Sequence, residues 1–459
     1  MIHLSKAYSK IAVLLALMVG VAACEFDDTN INPARVTEAQ ADLNLLLPSA
    51  IVQLGFSEGA LGGRNPGMFM QYLEGQDAQQ LAITQYTLQD NVMDNFWRTG
   101  MYAGGMKDLR LIIERTTAQE GEGSEAALDA PYYRGIAKIL MAEHLNILTT
   151  FFGDLPYSDA FKGEEGNITP VYDTQQDIFV AIEQLIDEGV ADLTGEAGNI
   201  VPSNDDVVFG GDVESWVAAA HGLKARYLME QGKYADASTE LASAISSNAG
   251  NALFPFEETV NGANPFWLFE NDRTATLATH PYFRSVMAGD PRYDSYINSN
   301  NGFANVFWTS NGSPTKLITY SEIKFMEAEL AARDGDAAAA EAAMEAGIQA
   351  NMEVLGIDPG AISTYLLELS GGSLATVMNE KYKVIYPLTY VAWTDQRRTG
   401  FPALTPNRAI RTDAPSIPQR FPYPSSEDQF NKANKDAARD RLGITTADDN
   451  IFLPLPIFQ

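Results

Sequence analysis

Cysteine is all but absent from this chain: Cys24 is the only one in 459 residues. No disulfide can form within the chain, and a cysteine-based zinc site is excluded. Histidine is scarce too, with four. His144, His221 and His280 lie beyond residue 24, and no two of them fall at the three- or four-residue spacing of helix-borne metal ligands. Each reads as a core or surface histidine, and no metal or cofactor is expected. Positive charge is the third shortage: 31 Lys and Arg face 60 Asp and Glu, for a net charge of −29. Such a chain is repelled by nucleic acid, whose affinity is built from counterions released at Lys and Arg, and by anionic lipid surfaces. No Walker-type loop, H-E-x-x-H helix or nucleophile elbow is identified.

What is present starts at the N-terminus. Lys6 and Lys10 flank an apolar run, "IAVLLALMVGVAA" over residues 11–23, shorter than the roughly 20 residues a bilayer span needs. It ends in Val21-Ala22-Ala23-Cys24. Small residues before a cysteine resemble the lipobox of bacterial lipoproteins, where cleavage leaves the cysteine as an acylated first residue. Residues 1–23 thus read as a signal peptide. Residues 24–36, "CEFDDTNINPARV", read as a polar, extended tether lipidated on Cys24.

With 46% hydrophobic residues, the remainder can bury a large core. Length alone suggests two or three domains, which a repeat architecture would merge; residues 37–459 are taken as one. Most of it shows helical spacing. "VTEAQADLNLLLPSAIVQL" and "NVMDNFWRTGMYAGGMKDLRLIIERTT" are two such runs, the second with Phe96, Trp97, Met101, Leu109 and Ile112 on one face. Aligning Gly232 with Gly335 places Ala225 on Ala328, Ala237 on Ala340 and Leu241 on Met344. Each unit is an apolar helix, a Gly turn and a small-residue helix, the logic of a tetratricopeptide repeat. Residues 132–191 fit a further pair more loosely. Residues 251–316 break the pattern: rich in Asn, Gly, Pro and aromatics, they read as long loops with short strands, the kind of insertion that carries function.

"FGDLPYSDAF" (residues 152–161), "TYSEIKFMEAELAARDG", "AWTDQRRTGFPAL" and "IPQRFPYPSSEDQFN", together with the lipobox, resemble in the same order the motifs of the SusD/RagB family of Bacteroidetes outer-membrane lipoproteins, in its shorter branch. Val391 departs from the pattern where a polar residue is expected. The resemblance implies an all-α fold of tetratricopeptide-like helix pairs with a loop-rich ligand-binding region. It implies a cell-surface lipoprotein, not an enzyme, that captures nutrient for a SusC-like TonB-dependent transporter; "EFDD" after Cys24 is similar to a surface-export signal. Within the "FGDLPYSDAF" turn, Gly153 and Pro156 are expected to end a helix and Asp154 to bind free backbone N–H groups of the turn. Arg397 and Arg398 are expected to pair with carboxylates or helix-end carbonyls.

Sugar rings pack on aromatic faces and their hydroxyls need planar polar partners. Trp97, Trp216 and Trp393 lie in amphipathic runs and read as core. Trp267 and then Trp308, in the irregular region, are the expected stacking platforms, with Phe266, Phe307, Asn271, Asp272 and Arg273 beside them; Arg64 and Asn65 are polar candidates from another loop. A neutral glycan is the expected ligand, since the chain's acidity opposes anionic polysaccharides. Peptide capture and a surface glycosidase built on two carboxylates are the alternatives.

Overall fold

The computed structural model describes residues 41–117, 127–163, 165–444 and 450–459. The signal peptide, Cys24 and its tether lie outside the described residues. The chain divides into two compact units, Met1–Asp42 and Leu43–Gln459; everything below concerns the second. It is mostly helical. Helices α1 (Leu43–Gly59) and α2 (Leu61–Phe69) are followed by a short strand β1 (Leu73–Gly75), α3 (Ala78–Thr84), a π-helical segment Phe96–Met106 and α4 (Lys107–Thr116). Next come α5 (Pro131–Phe152), α6 (Gln175–Thr194), α7 (Val213–Glu230) and α8 (Tyr234–Leu241). The irregular region holds β2 (Ala252–Phe254), α9 (Pro265–Asp272), β3 (Leu277–Thr279), α10 (Pro281–Met287), α11 (Tyr293–Tyr296) and β4 (Thr315–Ile318). The C-terminal part contributes α12 (Tyr320–Arg333), α13 (Ala337–Val354), α14 (Pro359–Glu368), α15 (Leu374–Ile385), α16 (Thr389–Thr399), α17 (Ser425–Phe430) and α18 (Lys432–Arg441).

The repeat logic holds. α5 packs on α6, α7 on α8 and α12 on α13. Gly232 and Gly335 occupy equivalent turns with φ of 72° and 81°, a left-handed conformation that costs other residues energy. Ala225, Ala328, Ala237 and Ala340 are all buried, so small side chains set the close approach of paired helices. The region 251–316 is more helical than its sequence implied. Pro at the first position of α9 and α10, with Asn264 and His280 as their caps, starts helices too short to show a 3.6-residue period. Its strands pair antiparallel with partners far away in sequence, β1 with β3 and β2 with β4.

The "FGDLPYSDAF" turn is scaffold. Gly153, at φ 95°, ends α5. Contrary to expectation, Asp154 does not bind its own turn: it accepts from the N–H of Gln175 (3.0 Å) and pairs with Arg441 (2.7 Å), and the turn's own N–H groups, Tyr157 and Ser158, go to Asp173. Arg398 pairs with Glu329 and with Asp395 (2.6 Å). Arg397 donates to the carbonyls of Thr150 (2.6 Å), Gln419 (2.9 Å) and Trp393 (3.2 Å) while stacking on the Trp393 ring. Val391 is buried in α16, where an apolar side chain suits the core.

Deeper still, Arg226 of α7 is fully buried and bidentate to Glu322 of α12 (2.7 and 2.8 Å), with further bonds to Glu143 of α5 (3.2 Å) and the Leu317 carbonyl of β4 (2.7 Å). Tyr227 and Tyr390 donate to Glu143 as well. Removing one member of such a cluster leaves uncompensated charge in a dry interior. Arg226→Ala is therefore expected to destabilise the fold by about 3–5 kcal/mol, read as the shift of the urea unfolding midpoint; a change below about 1 kcal/mol would show the cluster to be dispensable.

His144 of α5 is also fully buried. Its Nδ1 bonds the Leu140 carbonyl (2.8 Å), its Nε2 lies against Gly105 without a hydrogen-bond partner, and burial lowers its pKa to about 4. The unfolded chain takes up this proton near the ordinary histidine value of 6.5 and the folded chain only near 4, so the residue's contribution is whole above pH 6.5 and lost towards pH 4. Glu230, raised by burial to about 8, has the opposite slope and is common to both proteins in a comparison. Relative to His144→Gln, the parent chain should lose up to about 1.4 kcal/mol more per pH unit across that window, measured by urea unfolding at stepped pH.

Candidate functional site

One cleft, of about 660 Å³, gathers residues from separate elements. α1 supplies Gln53, Phe56 and Ser57, α2 supplies Arg64, and α3 supplies Gln79. The segment entering the π-helix supplies Asn91, Asn95, Phe96 and Thr99. α9 supplies Pro265, Leu268, Phe269 and Asp272, with Arg273 just beyond. These α9 positions follow the i, i+3, i+4, i+7 rule, so one helical face forms a wall. Asn264 sets that face: its Oδ1 accepts from the N–H of Phe266 (2.9 Å) and its Nδ2 donates to the Ser313 carbonyl (2.8 Å). Opposite, the Ser57 hydroxyl donates to the Gly100 carbonyl (3.3 Å) and so ties α1 to the π-helical segment. A π turn is wider than an α turn and often marks a functional site.

The lining is mixed in character. Phe56 is 39% exposed and offers an aromatic surface, while Gln53, Gln79, Asn91 and Asn95 offer amides that both donate and accept. Arg64 is 7% exposed. Its guanidinium lies 4.1 Å from the centre of the Phe269 ring, and that of Arg273 lies 5.5 Å from the same ring. Burial, and then the charge of Arg273, lower the Arg64 pKa to about 9, so it remains a cation at neutral pH. Both Glu58 carboxyl oxygens are buried without a partner, and burial, then the nearby Glu143, raise its pKa well above the usual carboxylate range.

Of the residues singled out in the sequence, Arg64, Asp272 and Arg273 come together here. Trp267 does not line the cleft: half-buried on a different side of α9, it donates from Nε1 to the Asn305 side chain (3.0 Å). Phe307 is 41% exposed and Asn271 is exposed, the latter bonding Asp272 (3.3 Å). Trp308 is 3% exposed. Its ring is covered by the Lys316 ammonium (4.4 Å) and edged by Phe307, so it plugs the core and presents no stacking face. Phe266 and Asn65 are likewise buried, Asn65 donating to the Met93 sulfur (3.1 Å). Trp97, Trp216 and Trp393 are core residues as expected. Sequence reasoning missed the α1, α3 and π-segment contributions, because nothing in an amphipathic run says which polar positions will border a cleft. Phe269 was closer to hand, two residues from Trp267 in "NPFWLFEND".

One motif corrects the sequence reading. Gly55-Phe56-Ser57-Glu58-Gly59 does spell the G-x-S-x-G of serine hydrolases. The elbow requires a strand-to-helix turn with a histidine in reach. Here the five residues are the last of α1, and Ser57 bonds only Gln53 and Gly100. It is a helix end. Among the described residues no cluster of His, Cys, Asp and Glu is arranged to hold a metal.

Comparison with known proteins adds the following. The model of a SusD-like family, described as starch-binding and associating with the outer membrane, matches residues 37–424. The structure is similar to that of a SusD/RagB family protein from Bacteroides thetaiotaomicron, at 21% identity and TM-score 0.73, over 91% of this chain and 99% of that one. It is similar also to a SusD homologue from Bacteroides fragilis, at 19% identity and TM-score 0.71, over 92% and 100% of the two chains. A chitin-binding SusD homologue from Flavobacterium johnsoniae matches at 21% identity and TM-score 0.69, over 91% and 96%. No curated protein sequence matches this chain significantly.

The two irregular-region tryptophans should behave oppositely on truncation. Trp308→Ala is expected to cost about 3–5 kcal/mol of stability, as for other fully buried aromatics, and Trp267→Ala less than half of that. Paired denaturant curves decide the matter; equal losses would mean that Trp267 is core as well.

Proposed function

This chain belongs to the SusD-like family, and on that premise we propose that it is a lipid-anchored, cell-surface binding protein that captures an oligosaccharide in the α1–α9 cleft and passes it to a SusC-like TonB-dependent transporter. The family match over residues 37–424 carries the reading. The cleft lining agrees with it, since Phe56 can stack on a sugar face while amides and guanidinium groups meet the hydroxyls. Trp267, outside the cleft on the same helix, would serve as a second platform for longer chains, with Phe307 in the loop of its partner Asn305. The chitin-binding relative makes a glycan the first choice over a peptide.

The chain acts here as a binder without turnover. Tethering a capture protein beside its transporter replaces diffusion by a high effective concentration, so modest affinity suffices. Very slow release would stall delivery. The anchor is Cys24, the residue next to the predicted cleavage point.

Calorimetric titration of the full chain in detergent against neutral oligosaccharides of increasing length and a peptide digest tests the capture step. Saturable glycan binding with no new reducing ends is expected. Phe56→Ala should weaken it about 3- to 10-fold at every length, the worth of one aromatic stack, and Trp267→Ala only for long oligomers. Binding of peptides alone would replace the glycan reading. Cys24→Ala should move the protein from the membrane to the soluble fraction; retention in the membrane would refute the anchor.

A further inference from the structure

The cleft holds a charge that the protein itself does not answer. Arg64 is 7% exposed, its Nε is buried without a hydrogen-bond partner, and no carboxylate among the described residues pairs with its guanidinium. Four other buried arginines are treated differently. Arg226 has Glu322 and Glu143, Arg292 has Asp290 and Glu380, Arg398 has Glu329 and Asp395, and Arg397 has three backbone carbonyls. Among the described residues Arg64 has neither a carboxylate nor a carbonyl acceptor, and an unpaired buried charge is costly.

The neighbourhood sharpens the point. Arg64 and Arg273 share the Phe269 ring, at 4.1 and 5.5 Å from its centre, and their mutual repulsion contributes to the lowered basicity of Arg64. Asp272 is the one carboxylate in the lining, and it forms an ion pair with neither; it accepts from Asn271 instead. The Arg64 guanidinium carbon lies over the Phe269 ring, and the N–H edge of a guanidinium is the part that forks onto a carboxylate or sulfate. An anion at that edge would relieve the repulsion and supply the missing hydrogen-bond acceptors together.

We infer that the cleft selects an acidic sugar, one carrying a carboxylate or a sulfate ester, whose anionic group is held by Arg64 and Arg273. The inference rests on the glycan-binding reading and names its substrate class. It replaces the neutral ligand suggested by net charge. Charges farther from the ligand than about 8 Å are largely screened at physiological salt, so two guanidinium groups in contact outweigh a distant acidic surface.

The test is calorimetry on the full chain in detergent, with oligogalacturonate, oligoalginate and sulfated galactan oligosaccharides, each beside its carboxyl-reduced or desulfated counterpart. At least one charged probe is expected to bind about tenfold or more tightly than its neutral counterpart, the worth of a charge-assisted pair, and to lose that advantage at high salt. Preference for the uronates or for the sulfated probe identifies the group. Arg273→Gln, at an exposed position, should abolish the preference, so that the charged probe and its neutral counterpart bind alike. Arg64→Gln should do the same, with thermal melting confirming that it folds. Equal affinity for charged and neutral forms, or a preference that survives Arg273→Gln, overturns the inference and leaves glycan capture standing. Failure of every saccharide, charged or neutral, overturns both.

Discussion

Arg226 is the constraint on which the architecture depends. From α7 it reaches α5 through Glu143, α12 through Glu322 and β4 through the Leu317 carbonyl. Helix pairs of a repeat protein could pack at several registers, since small-residue faces are alike along their length. A buried cation with three specific acceptors removes that freedom, because any slip by a turn would strand charge in a dry interior. Lys381, Asp395, Arg398 and Glu329 make a second such cluster between α15, α16 and α12. The rings of Phe69, Phe151, Trp393 and Phe421 pack on one another and join α2 and α5 to α16.

The cleft stands on this frame. Glu58, its pKa raised by burial and by Glu143, is the residue after Ser57, so the wall built by α1 is fixed by the same interior that contains Arg226. The opposite wall, α9, hangs from Asn264, from the β1–β3 pair that binds the irregular region to distant chain, and from the β2–β4 pair within it. The α9 wall of the cleft is thus mounted on a short helix whose N-terminus is hydrogen-bonded, not on a free loop. A preformed surface of this kind loses little entropy when ligand arrives.

Charge acts on two scales in this molecule. Over the whole chain, an excess of acid keeps it away from nucleic acid and anionic lipid. Within the cleft the balance reverses, with Arg64 and Arg273 against Asp272. The long-range field governs encounter and solubility, and the contacts govern what is held.

By itself the sequence determined the fold class, the order of the helix pairs and the core tryptophans in their amphipathic runs. It also determined the scaffold nature of "FGDLPYSDAF" and the pairing of Arg397 and Arg398. Each of these is a local matter, decided by period, small residues, a Gly turn or the need of a buried cation for partners. The cleft was legible only in part. Arg64, Asp272 and Arg273 lie in its lining, but Trp308 was taken for a surface residue because an Asn- and Gly-rich string gives no sign of what folds over it. Only the tertiary structure could bury that ring under Lys316, turn Trp267 away from the cleft, and bring Gln53, Phe56 and Asn95 opposite Phe269. Those placements follow from contacts between residues far apart in the chain, which no local pattern encodes.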